Sequence, residues 1–315
     1  MIQKRAQPGK VRVDIHEAAS KGRRVTARNL PKMTAPATMM KTMADMRRVS
    51  VTEATKPFQD SLRRMTHSMS PRAQLAAAAS VASGLHAPGR FMRVNVEGTV
   101  TLCESLRAAM PDARLIFISS SEVYGIPVYL PVDEKHPVNP ANPYAISKLA
   151  GEYCCHYMRA AHGLHTVVLR PFNHSGAGQR DEFVLSAFAR QIVEIEKGLR
   201  APVLEVGNLS AKRDFTHVQD MVRAYRLATQ LDSEEDAFNL CSGASIAIGD
   251  ALEQLRSLAS AAFSVKPDPR RCRSLDVPEI CGSAEKFHGL TGWRPEIPFR
   301  RILEDLLEYW RGALK

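Results

Sequence analysis

No stretch of this 315-residue chain approaches the roughly 18 consecutive apolar residues of a membrane-crossing helix, so no membrane span is expected. Its six cysteines, Cys103, Cys154, Cys155, Cys241, Cys272 and Cys281, form no C-x-x-C pair. Neither a zinc site nor a disulfide framework follows from them. Acidic residues are scarce at the start, where residues 1–72 hold 5 Asp or Glu against 16 Lys or Arg. The same stretch holds only 2 of the 18 glycines, Gly9 and Gly22. It also lacks the interleaved aromatics of a nucleic-acid-binding arm, which argues against nucleic acid as a partner. No apolar signal core lies near Met1, so the cytoplasm is the expected compartment, although an acid-poor basic start also suits a transit peptide.

The remaining sequence has a different character. The chain carries a formal charge of +10, and the basic start accounts for it: beyond residue 72 there are 27 basic and 28 acidic residues. A length of 315 residues suits one large domain, or a nucleotide-binding domain with a smaller companion. Residues 1–72 show no sustained period of 2 or 3.6 and are left unassigned. From Ala73 a small-residue run, Leu75-Ala76-Ala77-Ala78-Ala79, leads to a helical pattern through Val94, Val96, Leu102 and Leu106.

A strand–helix alternation then sets in. Arg114–Ile118 is a short apolar run of the kind buried on both faces of a parallel sheet, and it ends in Ser119-Ser120-Ser121. A Pro-rich loop follows, then an expected helix from about Tyr144 to Ala161 that stops at His162-Gly163, then a second buried strand, Thr166–Leu169. Further helices are expected near Val184–Lys197, Val218–Leu231, Ile248–Leu258 and Phe299–Arg311, with strands at Leu204–Val206 and Phe238–Cys241. This rhythm implies an α/β fold with a doubly wound parallel sheet, its N-terminal strands degenerate or missing, and a smaller C-terminal lobe. The expected division is an atypical basic segment over residues 1–72, a dinucleotide-binding portion over 73–172 and mainly a substrate lobe over 173–315.

Two constellations carry chemistry. Tyr144-Ala-Ile-Ser-Lys148 places a phenol and an ammonium on one helix face, and a nearby ammonium favours phenolate, as a proton-transfer catalyst requires. Taken alone, such a pair is most often a surface contact. Ser119-Ser120-Ser121-Glu122-Val123-Tyr124-Gly125 stands at the C-terminal end of a buried strand, where open α/β sheets gather ligands. A serine hydroxyl there can hydrogen-bond a reacting oxygen, and Glu122 can act as a second acid or base; the plainer alternative is a turn whose hydroxyls satisfy backbone groups.

In order and spacing, S-S-S-E-V-Y-G, N-P-Y-A-I-S-K-L-A-G-E and L-R-P-F-N-H-S-G-A-G-Q resemble the extended short-chain dehydrogenases of the NAD-dependent epimerase/dehydratase family. The version P-F-N-H-S-G-A-G-Q, with F-A-R-Q-I-V-E-I-E and G-N-L-S-A-K-R-D-F after it, is most similar to the GDP-mannose 4,6-dehydratases and GDP-4-keto-6-deoxymannose reductases, the reductases more so. The resemblance runs from about Ala73 to Arg311. It implies Tyr144 as general acid or base, Lys148 as its electrostatic partner and ribose holder, Ser120 as the hydroxyl on the sugar C4 oxygen, and Glu122 at the position of a further acid–base carboxylate. It further implies Ala76, Asn95, Ser119, Tyr144, Lys148 and Arg170 around a nicotinamide cofactor, NAD or NADP with NADP favoured. Asn173, Arg213, Arg273 and Asp276 would face a nucleotide-diphosphate sugar, GDP-linked by this resemblance, guanidinium groups being suited to a diphosphate. A homodimer formed through the helices near 91–109 and 144–161 is implied as well. Reductase, dehydratase and epimerase share these residues and stay open.

One implied feature is missing. A G-x-x-G-x-x-G turn should bring the backbone close to the cofactor pyrophosphate, yet neither Gly9 nor Gly22 begins one. Three accounts are compatible with this: a disrupted relic of an ordinary family member, an active enzyme with an unusual cofactor cradle, or a non-catalytic binding protein with a basic arm.

Overall fold

The computed structural model describes residues 73–74, 88–109, 113–231, 237–272 and 276–314. The basic start, Ala76 and Arg273 lie outside the described residues. Four strands form a parallel sheet in the order β1-β2-β3-β7: β1 Ala73–Gln74, β2 Arg114–Ile118, β3 His165–Pro171 and β7 Ala237–Leu240. Between β1 and β2 lie α1 (Pro88–Phe91), a π-helical stretch Met92–Glu97 and α2 (Gly98–Ala109); α3 (Pro143–His162) joins β2 to β3.

The strand alternation assigns each face of this sheet. Leu115, Phe117 and Val168 pack with Cys103, Leu106, Cys155 and Met158 of α2 and α3. Their neighbours Ile116, Val167 and Leu169 point the other way, onto Met221, Ala224, Phe287 and Trp293. Both faces are therefore covered, as the apolar runs predicted, and the sheet is doubly wound. The fold is Rossmann-like α/β.

Local chemistry fixes the ends of α3. Asn142 caps it, its side-chain oxygen accepting from the Ala145 N–H at 2.9 Å, and Pro143 occupies the first turn, where its missing N–H costs nothing. At the other end Gly163 adopts φ 67°, the left-handed conformation that closes a helix. Gly151 lets the helix approach the sheet, because a Cβ there would stand 2.4 Å from Cζ of Phe117.

The C-terminal portion adds β4 Asn173–Ser175, α4 Val184–Glu196, β5 Val203–Val206, β6 Lys212–His217, α5 Val218–Ala228, β8 Ser245–Ala247, α6 Ile248–Leu258, β9 Ser264–Pro267, β10 Glu279–Ile280, α7 Glu285–Thr291 and α8 Phe299–Ala313. A second sheet runs β10-β6-β4 with β8 antiparallel to β6, and β5 pairs with β9. Helices α4, α6 and α8 close over it around Phe188, Ile192, Leu252, Leu255, Ile302 and Leu306. Strands β4, β6, β8, β9 and β10 carry no apolar run that announces them; β6 reads K-R-D-F-T-H.

The helical pattern read through Val94 and Val96 needs correction. Val94 is exposed and Val96 half-buried, while Asn95 and Thr99 are buried instead. The physical reason is polar: the Asn95 amide donates to the Ser147 hydroxyl at 2.9 Å, so the inward face of this segment is set by a hydrogen bond to α3.

Candidate functional site

The carboxyl end of β2 and the first turns of α3 converge. Ser119 follows β2 directly, its N–H donating to the Leu169 carbonyl at 2.7 Å. Ser120, almost fully buried, is extended and caps the short 3-10 turn Ser121–Tyr124, its hydroxyl accepting from the Glu122 N–H at 3.2 Å. The Glu122 carboxylate is fixed in turn, Oε2 accepting from the Asn142 amide at 2.9 Å. Asn142 thus caps the helix bearing Tyr144 and Lys148 and also orients the carboxylate across from it.

Tyr144 packs edge-on against Phe91, with ring centroids 5.9 Å apart. Its backbone carbonyl accepts from the Ser147 hydroxyl at 2.7 Å. Lys148 crosses from α3 to the sheet end, where Nζ donates to the Ile118 carbonyl at 2.6 Å and lies 5.2 Å from the centre of the Phe117 ring. Burial pushes the Lys148 ammonium down to about 8, against some support from Glu152. At neutral pH the group is still mostly charged.

Behind this front stands a buried ion-pair network. Arg170 forks onto Glu152, with Nε to Oε1 at 3.0 Å and Nη2 to Oε2 at 2.6 Å. Its Nη1 donates to the Tyr124 hydroxyl at 3.0 Å, which donates to Asn239 Oδ1 at 2.7 Å. The Ser119 hydroxyl completes the set by donating to Glu152. Burial pushes the Tyr124 phenol up to about 12, so it stays a neutral donor. Ser119 and Arg170, expected beside a cofactor, are thus engaged by Glu152.

The residues expected to face a sugar nucleotide sit in the C-terminal portion. Asn173 opens β4 with its side chain exposed. Arg213 on β6 pairs with Asp276 at 2.6 Å and donates to the Val277 carbonyl at 2.7 Å. Asp276 also accepts from Asn208 at 2.8 Å, so its carboxylate is already tied to protein donors.

Of the expected residues, the structure brings Ser119, Ser120, Glu122 and Lys148 to one strand end, with Tyr144 one helical turn before Lys148, its ring on Phe91, and Asn95 joined through Ser147. Sequence reasoning missed Asn142 and Glu152. Both had a signal: Asn142 precedes Pro143 at a helix start, and Glu152 lies four residues beyond Lys148, on the same helix face. These donors fit the nicotinamide and ribose half of a dinucleotide, since a buried ammonium anchored at a sheet end offers a fixed donor for hydroxyl groups. For the pyrophosphate half, the sequence carries no glycine-rich turn over residues 1–72. Among the described residues no His, Cys, Asp and Glu cluster suits a metal ion, and no helix is long and apolar enough to cross a membrane.

A strand-end serine facing a Tyr-x-x-x-Lys helix on an open parallel sheet defines a dehydrogenase-type site of the NAD-dependent epimerase/dehydratase class. The chain belongs to the family described as GDP-mannose 4,6 dehydratase, which it matches over residues 23–306. That match reaches upstream of Ala73, into the stretch read as departing from the resemblance. The chain is 36% identical over 230 residues to GDP-6-deoxy-D-mannose reductase of Pseudomonas aeruginosa, covering 72% of this chain and 76% of that protein. Among solved structures it is similar to RMD from Pseudomonas aeruginosa complexed with NADPH, at a TM-score of 0.73 and 35% identity over 77% of this chain and 81% of that one. It is also similar to the UDP-glucose 4-epimerase of Thermus thermophilus complexed with NAD, at a TM-score of 0.68 and 29% identity over 80% and 81%. Members of the family are NAD(P)-dependent nucleotide-sugar reductases, dehydratases and epimerases.

Proposed function

We propose that this chain is a nucleotide-sugar reductase acting on the C4 ketone of a GDP-4-keto-6-deoxy sugar, with NADPH as the preferred cofactor. The observation that supports this reading is Ser120 at the end of β2 with Lys148 reaching the Ile118 carbonyl there, Tyr144 standing one helical turn before Lys148 on α3, and the reductase relative supports the substrate class. A nicotinamide cofactor, when bound, supplies the hydride. Tyr144 delivers a proton to the sugar oxygen, the Lys148 ammonium stabilises phenolate as the proton leaves, and the Ser120 hydroxyl polarises the carbonyl. Glu122, held by Asn142, is available as a further acid or base, and its presence keeps dehydration within reach of the same site. Asn173 and Arg213 serve the nucleotide sugar, with Asp276 orienting Arg213, Arg273 on the same side and Ala76 on the cofactor side.

The exposed face formed by Val94 and Val100, with Ile146, Tyr153 and Tyr157 of α3, supports a homodimer through these helices. A second reading rests on one observation, the lack of a glycine-rich turn in residues 1–72: the chain is a catalytically impaired relative that binds dinucleotide weakly. Purified protein, NADPH and the keto sugar decide between them. The first reading expects loss of reduced-nicotinamide absorbance, lowered about 100- to 10,000-fold by Tyr144→Phe. Absence of turnover together with absence of saturable NADPH binding establishes the second.

A further inference from the structure

Lys148 is 5% exposed, yet among the described residues no carboxylate pairs directly with its ammonium. What holds it is one peptide unit, between Ile118 and Ser119. The carbonyl of that unit accepts from Nζ at 2.6 Å, and its N–H donates to the Leu169 carbonyl at 2.7 Å. A third tie comes from the Ser119 hydroxyl, which donates to Glu152. Helix α3 therefore reaches the same strand end twice from one face, with Lys148 at the carbonyl and, a turn later, Glu152 at the adjoining hydroxyl.

The Glu152 carboxylate is itself buried, and the guanidinium fork of Arg170 upon it, at 3.0 and 2.6 Å, suits the ionised form. That negative charge also acts on Lys148 through space, opposing the desolvation that pulls the ammonium down. The other ionisable groups around the ammonium bring no such charge. Cys155, further along α3, has its thiol pushed up by contact with Cys103 and by burial, and stays neutral. Tyr124 is a neutral donor, and the Glu122 carboxylate is turned to Asn142. Tyr144, one turn before Lys148, is the group whose phenolate the ammonium is proposed to support. One carboxylate thus serves two cations, Arg170 by direct bonds and Lys148 across the strand end.

We propose that Glu152 is a positioning residue for the reaction, acting through Lys148: its carboxylate fixes the peptide that holds the ammonium and supplies the negative charge the ammonium faces. The inference rests on the Tyr144 and Lys148 reading of catalysis, but its first test needs no turnover. In full-length protein carrying carbon-13 at the lysine Cε atoms, the Lys148 resonance, assigned by its loss in Lys148→Met, reports the charge directly. The wild type should titrate at about 8, and Glu152→Gln, whose amide oxygen can still accept from Ser119, about one pH unit lower. Glu152→Gln with Arg170→Gln buries no unpaired charge and gives the same measurement where the single variant fails to fold. Its midpoint should fall by at least about half a unit, because Glu152 rather than Arg170 acts on the ammonium. In keto-sugar reduction, Glu152→Gln should lose about threefold in kcat/KM at pH 7.5 and little at pH 6, as a midpoint moved from about 8 to about 7 requires. Glu152→Asp, which restores the charge, should move the midpoint back towards the wild type. A Lys148 midpoint unchanged in the folded variants overturns the proposal and leaves Glu152 a partner of Arg170 alone. An equal loss of kcat/KM at both pH values overturns it as well. A shifted midpoint in a protein without turnover supports the tie between Glu152 and Lys148 and refutes only the reductase reading.

Discussion

Replacing Lys148 with methionine is expected to stabilise the protein at neutral pH while removing the ammonium proposed to support the Tyr144 phenolate. The ammonium is buried, and its pKa falls from the ordinary lysine value of 10.5 to about 8. A lysine depressed in this way binds fewer protons folded than unfolded between about pH 8 and 10.5, so its cost to stability is complete below pH 8 and fades as the pH rises through that window. The shift corresponds to about 3 kcal/mol at pH 7, of which about 2–3 kcal/mol is recovered by pH 10. Methionine removes this cost but leaves the Ile118 carbonyl without its donor, a loss of about 1–3 kcal/mol at either pH. Urea unfolding of both proteins at pH 7 and pH 10 measures the difference directly. The wild type should gain about 2–3 kcal/mol on the variant between the two pH values. A pH-independent difference would show that the Lys148 ammonium is not desolvated as the structure places it. In the active protein the same titration should appear as a fall in kcat/KM as the pH rises through about 8, where Lys148 loses its charge.

Glu152→Gln should cost about 3–5 kcal/mol in urea unfolding, because it leaves Arg170 buried without its counter-charge. Gly151→Ala should cost about 1–3 kcal/mol, since the new methyl meets Phe117 at 2.4 Å; a neutral result would mean that α3 lies further from the sheet. Asn142→Ser keeps a helix cap but drops the amide held to Glu122, so stability should change little while kcat/KM falls; Asn142→Ala should lose about 1 kcal/mol of stability as well.

Strands β2, β3 and β7 of the central sheet were legible because they are buried on both faces and read as short apolar runs, and Arg114–Ile118 was located at its observed limits; the two-residue β1, Ala73–Gln74, is no such run. Helices Ile248–Leu258 and Pro143–His162 were equally plain, the latter from its stop at His162-Gly163. The strands of the second sheet were not, because Lys212–His217 and Asn173–Ser175 are short and polar and owe their conformation to pairing partners distant in sequence. At the site, residue types at fixed spacing pointed to Ser120, Tyr144 and Lys148. What each polar group is bonded to was not legible. Arg170 and Asp276 have the chemistry of ligand-binding residues, but Glu152 in one case, and Arg213 and Asn208 in the other, already engage them.

The Glu152–Arg170–Tyr124–Asn239 network has a consequence for how such sequences tolerate change. It lies behind the end of β2 and draws three of its four members from the same motif letters: the glutamate of G-E-Y after the lysine, the arginine of L-R-P-F-N, the tyrosine of S-E-V-Y-G. A chain released from selection on turnover, but still required to fold, would be held to these letters by the cost of an unpaired buried charge alone. Drift would then show first at Tyr144 and Glu122, which are only half-buried, and only later in the letters around them.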